Sequence, residues 1–201
     1  MIIGLFGGTF NPPHFGHLAI AQQVLDFTDC EQIWFVPGYR HTFQKPAASV
    51  EDRLEMTKLV IGNTLSVVNN NQPPTTNHGQ LVVSSLEIKH KLDGNTINLL
   101  PLLPKEHTYR FIIGSDQLPT FHLWGNWQEL LHQMPFLIFP RYGYPNEPLY
   151  EGMTMVNDQS LIVSNISSTK VRDRVKRGLS ISEFVPTPIV EYIEQQQLYQ
   201  E

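Results

Sequence analysis

Short apolar runs alternate along this chain with segments of helical period. Residues 2–7 (IIGLFG) form an apolar run closing on Gly-Gly, and over residues 16–29 Leu18, Ala21, Gln22 and Leu25 recur at helical spacing. That order predicts strand, loop, helix. Residues 32–37 (QIWFVP) are β-branched and aromatic, and Pro37-Gly38 opens a loop carrying Arg40, His41 and Lys45. Ser49, followed by Glu51 and Asp52, has the look of an N-cap with acids in the first turn, and Leu54, Lys58 and Ile61 continue the helix. A third strand is expected at residues 65–68, an exposed loop at 69–79 and a further strand at 81–88.

Asp93-Gly94 reads as a turn, and residues 96–103 as a helix interrupted by Pro101. Residues 109–114 (YRFIIG) read as a buried strand ending in Gly-Ser-Asp, residues 126–133 as a short helix and residues 136–140 as the next strand. The last strand is expected at residues 161–164. Ser167, Ser168 and Thr169 then cap a basic helix that stops at Gly178, and a closing helix starts at Thr187-Pro188. Strands alternating with helices at this spacing imply parallel pairing through right-handed crossovers, hence an α/β fold with an open, doubly wound sheet and a site at the strand C-termini.

Composition narrows the function. The 201 residues are 41% apolar, with 14 Lys and Arg against 19 Asp and Glu and a net charge of −5. This is a globular composition, and the length suits one domain over residues 1–201. The acidic balance argues against a broad nucleic-acid surface, while small anions remain open through local positive charge. No apolar stretch approaches the length of a membrane span, and the N-terminus does not read as an export signal. A lone cysteine, Cys30, allows no internal disulfide, which fits the reducing cytoplasm. A homo-oligomer is left open.

Two segments carry chemistry. GGTFNPPHFGHL, residues 7–18, leaves the first strand and runs into the first helix. Gly7 and Gly8 allow close backbone approach, and the amides of the loop and helix start are suited to phosphate oxygens. Neither a Walker A loop nor a GxGxxG fingerprint is present. His14 and His17 are three apart, so both imidazoles fall on one side of the helix start, where they can bracket a phosphate. Rival readings are two capping histidines without chemistry, or two metal ligands, which would need a third from acids that show no metal spacing. ISSTKVR, residues 166–172, supplies hydroxyls and free amides at a helix N-terminus, with Arg172 one turn on to neutralise a polyphosphate. Alone it would be an ordinary N-cap.

Together these segments resemble the nucleotidyltransferase superfamily with its HxGH and ISSTxxR signatures, and within it the bacterial nicotinate-nucleotide adenylyltransferases. The resemblance covers nearly the whole chain, including Arg53, Met56, the run GSDQL, Trp124 and Trp127, Arg141 with Gly143, and the terminal VPTPIVEYIEQQQLY. It implies a Rossmann-like nucleotidyltransferase fold and direct transfer of AMP from ATP to nicotinate mononucleotide, giving deamido-NAD and pyrophosphate in NAD biosynthesis.

By the same resemblance, His14 and His17 contact the ATP phosphates and transition state, and Gly16 leaves room for adenosine. Thr9 and Phe10 lend backbone groups, Lys45 reaches the phosphates, Ser168, Thr169 and Arg172 hold the β- and γ-phosphates, and Ser167 belongs to the ATP side. Gly114 and Asp116 belong to the ATP side, with Asp116 binding ribose or ordering a water of the Mg²⁺ that bridges the phosphates. No residue is expected to form a metal site of its own. Thr96, Trp124 and Arg141 fall to the mononucleotide, Trp124 stacking on the pyridine ring and Thr96 facing its carboxylate.

The chain departs from the family in two places. It reads Gly94-Asn95-Thr96-Ile97-Asn98-Leu99 where the family shows Ser-Tyr-Thr and a second Thr, and its residues 38–45 alter the family's Pro-Pro-His-Lys loop. The alternatives are a superfamily transferase acting on nicotinamide mononucleotide or phosphopantetheine, and a non-catalytic nucleotide sensor, whose mark would be loss of His14, His17 or Arg172.

Overall fold

The computed structural model describes residues 1–40, 48–62 and 80–200. Among these residues six strands form one sheet: β1 (Ile2–Gly8), β2 (Gln32–Pro37), β3 (Leu81–Val83), β4 (Thr108–Gly114), β5 (Phe136–Phe139) and β6 (Met153–Met155). Their order is β3-β2-β1-β4-β5-β6, and every pairing is parallel. The strand order reverses between β1 and β4, which opens a crevice at their C-terminal ends.

Strand alternation builds two cores. Phe6, Ile33, Phe35, Ile112 and Leu137 point to one face, where they meet α1 (Phe15–Phe27), α2 (Val50–Gly62), α5 (Ser168–Lys176) and α6 (Thr187–Gln195). Ile3, Leu5, Phe111, Ile113, Phe136 and Ile138 point to the other, against the 3-10 segments Thr96–Leu102 and Ser115–Leu123 and α4 (Trp127–Gln133). A sheet covered on both sides explains why its strands read as unbroken apolar runs. Burying one such side chain fully contributes about 1.5–3 kcal/mol.

Two strand expectations are corrected, and one lies outside the described residues. The run at 81–88 pairs only through Val83. The Ser84 amide still reaches the Phe35 carbonyl, but then Lys89 N bonds Ser85 O and a short helix, α3 (Leu86–Lys89), takes over. Residues 161–164 are not a strand of the sheet; β6, which sequence reading passed over, occupies the edge. The Gln23 side chain on α1 supplies what a neighbouring strand would, accepting the Ile162 amide at 2.6 Å and donating to its carbonyl at 3.1 Å. Residues 65–68 and 69–79 fall among those not described. The segment interrupted by Pro101 is a 3-10 helix, Thr96–Leu102. Among the described residues no helix is long and apolar enough to cross a membrane.

Candidate active site

The C-terminal ends of β1 and β4 open into a cleft of about 440 Å³. On leaving β1 the chain turns through Phe10, whose φ of +49° lies in the left-handed region. Packing compensates for that backbone: the Phe10 ring is buried, edge-on to His17 at 5.1 Å and against Phe35 at 5.4 Å. A side chain at Gly8 would press on this ring at 3.1 Å, and one at Gly7 would strike Phe111 at 2.7 Å.

His14 is the N-cap of α1 and His17 its third residue. Their rings stack with centroids 3.7 Å apart, and the His14 amide donates to His17 Nδ1 at 3.1 Å. That bond fixes the tautomer. With Nδ1 an acceptor, neutral His17 carries its proton on Nε2. Burial, reinforced by Arg141, lowers the His14 pKa to about 3. Burial, His14 and Arg141 hold His17 well below the ordinary histidine range. Without ligand both rings are therefore neutral near pH 7, and His14 Nδ1 is buried with no partner.

The second segment docks on the first. Ser167 caps α5, accepting the Lys170 amide at 3.3 Å, and this leaves the first amides of the helix at the cleft. Ser168 Oγ donates to the Pro12 carbonyl at 2.8 Å, and Arg172 Nη1 donates to the Asn11 carbonyl at 2.7 Å. Arg141, just past β5, donates to the Ser164 and Ile166 carbonyls at 3.4 and 3.3 Å, and its Nε lies 3.8 Å from Asp116 Oδ1. Hydrogen bonds thus join two motifs about 150 residues apart around one cationic cleft.

The cytidylyltransferase-like family pattern matches residues 5–174. A probable nicotinate-nucleotide adenylyltransferase of Halalkalibacterium halodurans is 33% identical over 98% of this chain and 90% of its own. One from Lactiplantibacillus plantarum is 32% identical over 99% of this chain and 88% of its own. This chain belongs to the nicotinate-nucleotide adenylyltransferase family. Among solved structures, the Plasmodium falciparum nicotinic acid mononucleotide adenylyltransferase complexed with NaAD superposes with a TM-score of 0.79. It covers 98% of this chain and 97% of its own at 20% identity, and shows the same fold.

Most of the residues named from sequence line the cleft of this family member. His14, His17, Arg172, Gly7, Gly8, Thr9, Phe10, Gly114, Asp116, Ser167, Ser168, Thr169, Thr96, Trp124 and Arg141 all do so. Gly16 does not. A side chain there would meet His14 Nδ1 at 2.9 Å and the Ile166 carbonyl at 3.5 Å, so its smallness serves the histidine stack and the docking of residues 166–172. Lys45 and His41 lie outside the described residues. Arg141 lies near enough to His14 and His17 to lower the pKa of both. Trp124 is half-buried, held by Phe121 at 5.2 Å and Phe111 at 6.2 Å, and lines the cleft. Trp34 and Trp127 pack half-buried against the second core.

Sequence reading gave no role to three residues. Asn11 is 4% exposed and takes hydrogen bonds at both its carbonyls. Arg53, 3% exposed on α2, donates to the carbonyls of Thr9 (3.0 Å), Gly38 (2.8 Å), Tyr39 (3.2 Å) and Ala48 (3.3 Å), fixing the loops after β1 and β2 from beneath. Glu87 on α3 lines the cleft while mostly buried; burial pushes its carboxyl up, and Oε2 has no partner. An acid inside the apolar run at 81–88 was the available signal.

Proposed function

We propose that this chain transfers the adenylyl group of ATP to nicotinate mononucleotide, releasing deamido-NAD and pyrophosphate, with residues 1–201 acting as one domain. The observation that carries the reading is the neutral, stacked pair His14–His17 facing the same cleft as the start of α5 and Arg172. An oxygen of the mononucleotide phosphate attacks the α-phosphorus of ATP, the new P–O bond forms as the bond to the bridging oxygen breaks, and pyrophosphate carries away the charge. No covalent enzyme intermediate is needed, and positioning with charge stabilisation supplies the catalysis.

In this reading His17 Nε2–H and the His14 ring donate to the α-phosphate as its charge grows. The amides and hydroxyls of Ser168 and Thr169, capped by Ser167, hold the β- and γ-phosphates together with Arg172. Thr9 and Phe10 present backbone groups, and Gly7, Gly8 and Gly114 keep the floor open. Arg141 bridges to the mononucleotide phosphate, Trp124 stacks on the pyridine ring and Thr96 faces its carboxylate.

Among the described residues no cluster of three His, Cys, Asp or Glu side chains could cage a metal. Asp116 is a carboxylate at the cleft, already beside Arg141. This donor set fits an Mg²⁺ that arrives with ATP, held by phosphate oxygens and water with Asp116 ordering one water; the ion would neutralise phosphate charge. The nucleotide substrates and the single cysteine fit a cytoplasmic setting. Incubating the protein with MgATP and nicotinate mononucleotide and separating the products by chromatography tests the reading: deamido-NAD must accumulate with pyrophosphate, and its absence refutes it.

A further inference from the structure

After α6 the chain turns back on itself. The Leu198 amide bonds the Ile193 carbonyl at 3.0 Å, and Gln197 and Tyr199 take left-handed backbones with φ of +51° and +64°. L side chains rarely adopt that region, so something must hold the tail there. Leu198 and the Tyr199 ring pack against the core that α1, α2, α5 and α6 share. The Tyr199 hydroxyl donates to Asn11 Oδ1 at 2.8 Å, across 188 positions of sequence.

Asn11 is the meeting point of three elements. Its Oδ1 also accepts the Ala48 amide at 3.0 Å, just before α2, and its backbone carbonyl accepts Arg172 Nη1 at 2.7 Å. Asn11 is 4% exposed, so water does not readily replace a lost donor. Burial keeps the Tyr199 hydroxyl protonated well above the ordinary tyrosine range, against the opposing pull of the nearby Arg172 and Arg53, so it remains a donor.

We propose that Tyr199 is a positioning residue for the triphosphate site: by bonding Asn11 Oδ1 it fixes the Asn11 peptide against which Arg172 is seated. The proposal rests on the reading above that Arg172 holds the β- and γ-phosphates. The mononucleotide end of the cleft, lined by Thr96 and Trp124, is not on this route. Tyr192 provides an internal comparison, because it lies on α6 just ahead of that turn but its hydroxyl bonds Asp52 Oδ1 at 2.9 Å and not Asn11.

Calorimetric titration of the full chain with β,γ-methylene-ATP and with AMP tests this in wild type, Tyr199→Phe, Tyr192→Phe, Arg172→Ala and the Tyr199→Phe/Arg172→Ala pair. Tyr199→Phe should weaken the triphosphate analogue about three- to tenfold, the range for one lost hydrogen bond, and AMP less than about twofold. Tyr192→Phe should change neither ligand by more than about twofold, and adding Tyr199→Phe to Arg172→Ala should have little further effect. Wild-type binding by Tyr199→Phe, equal losses for both ligands, or fully multiplying losses in the pair would overturn the proposal. If wild type binds the analogue with this pattern but joins ATP to no pyridine mononucleotide, the proposed reaction fails and the positioning role stands. If wild type does not bind the analogue, both fall.

Discussion

Replacing His14 with Asn should remove part of the protein's acid sensitivity. In the folded chain His14 is 3% exposed and its pKa is lowered to about 3, chiefly by burial, with Arg141 adding to the shift. In the unfolded chain an ordinary value of about 6.5 applies. Below about pH 6.5 the unfolded state therefore binds a proton that the folded state refuses until about pH 3. Stability from this group is complete above the unfolded value and is lost as pH falls through that window. Between pH 7 and 5 the linkage amounts to about 2 kcal/mol, and any folded value below about 4 gives nearly the same figure. His17, shifted the same way, adds its own loss in wild type and retains it in the variant. Urea titrations at pH 7 and pH 5 give both differences. His14→Asn should lose about 2 kcal/mol less than wild type on acidification. Parallel losses in the two proteins would mean that His14 is not held neutral by burial.

His17→Ala should lower kcat by about two orders of magnitude or more while ATP-analogue affinity stays within a few fold, because what is removed acts on transition-state charge; near-normal turnover would contradict its assigned role. Trp124→Ala should raise KM for the mononucleotide by roughly tenfold or more, from a stacking contribution of about 1–3 kcal/mol, and leave KM for ATP alone; an effect on ATP only would put the pyridine elsewhere. Arg53→Met strips a donor from four carbonyls, and calorimetry should show Tm lower by on the order of 10 °C; an unchanged Tm would deny Arg53 its role beneath the loops. Burial raises the Glu87 carboxyl, so its contribution is lost as pH rises past the ordinary glutamate range; Glu87→Gln should gain stability relative to wild type between pH 5 and 8, and parallel urea midpoints would refute this.

What could be read from the sequence was what short segments encode by themselves. The histidines at 14 and 17 and the hydroxyl run at 167–169 are local patterns, each at a helix start, and the structure brings both to one cleft at the reversal between β1 and β4. The apolar runs of β1, β2, β4 and β5 were legible because both faces of the sheet are covered, so no polar alternation interrupts them.

The remainder depends on contacts distant in sequence. Residues 161–164 have strand composition, yet Ile162 bonds the side chain of a glutamine on α1 where a strand would bond its neighbour. Arg53 looks like any helix arginine until the loops after β1 and β2 fold over it. Asn11 sits inside a conspicuous motif between more conspicuous neighbours, and nothing near it announces Tyr199. For Gly16 the sequence offered only its place in the motif, and the fold adds that a side chain there would meet the His14 ring and the Ile166 carbonyl.

The most direct measurement is pyrophosphate release from MgATP by the purified protein with nicotinate mononucleotide, nicotinamide mononucleotide and phosphopantetheine offered separately. The proposed reaction predicts release with nicotinate mononucleotide at least about tenfold faster than with either other acceptor, a difference of about 1.4 kcal/mol at the transition state. Faster release with another acceptor would reassign the pocket around Thr96 and Trp124, and no release with any of the three would contradict an adenylyl transfer to these acceptors altogether.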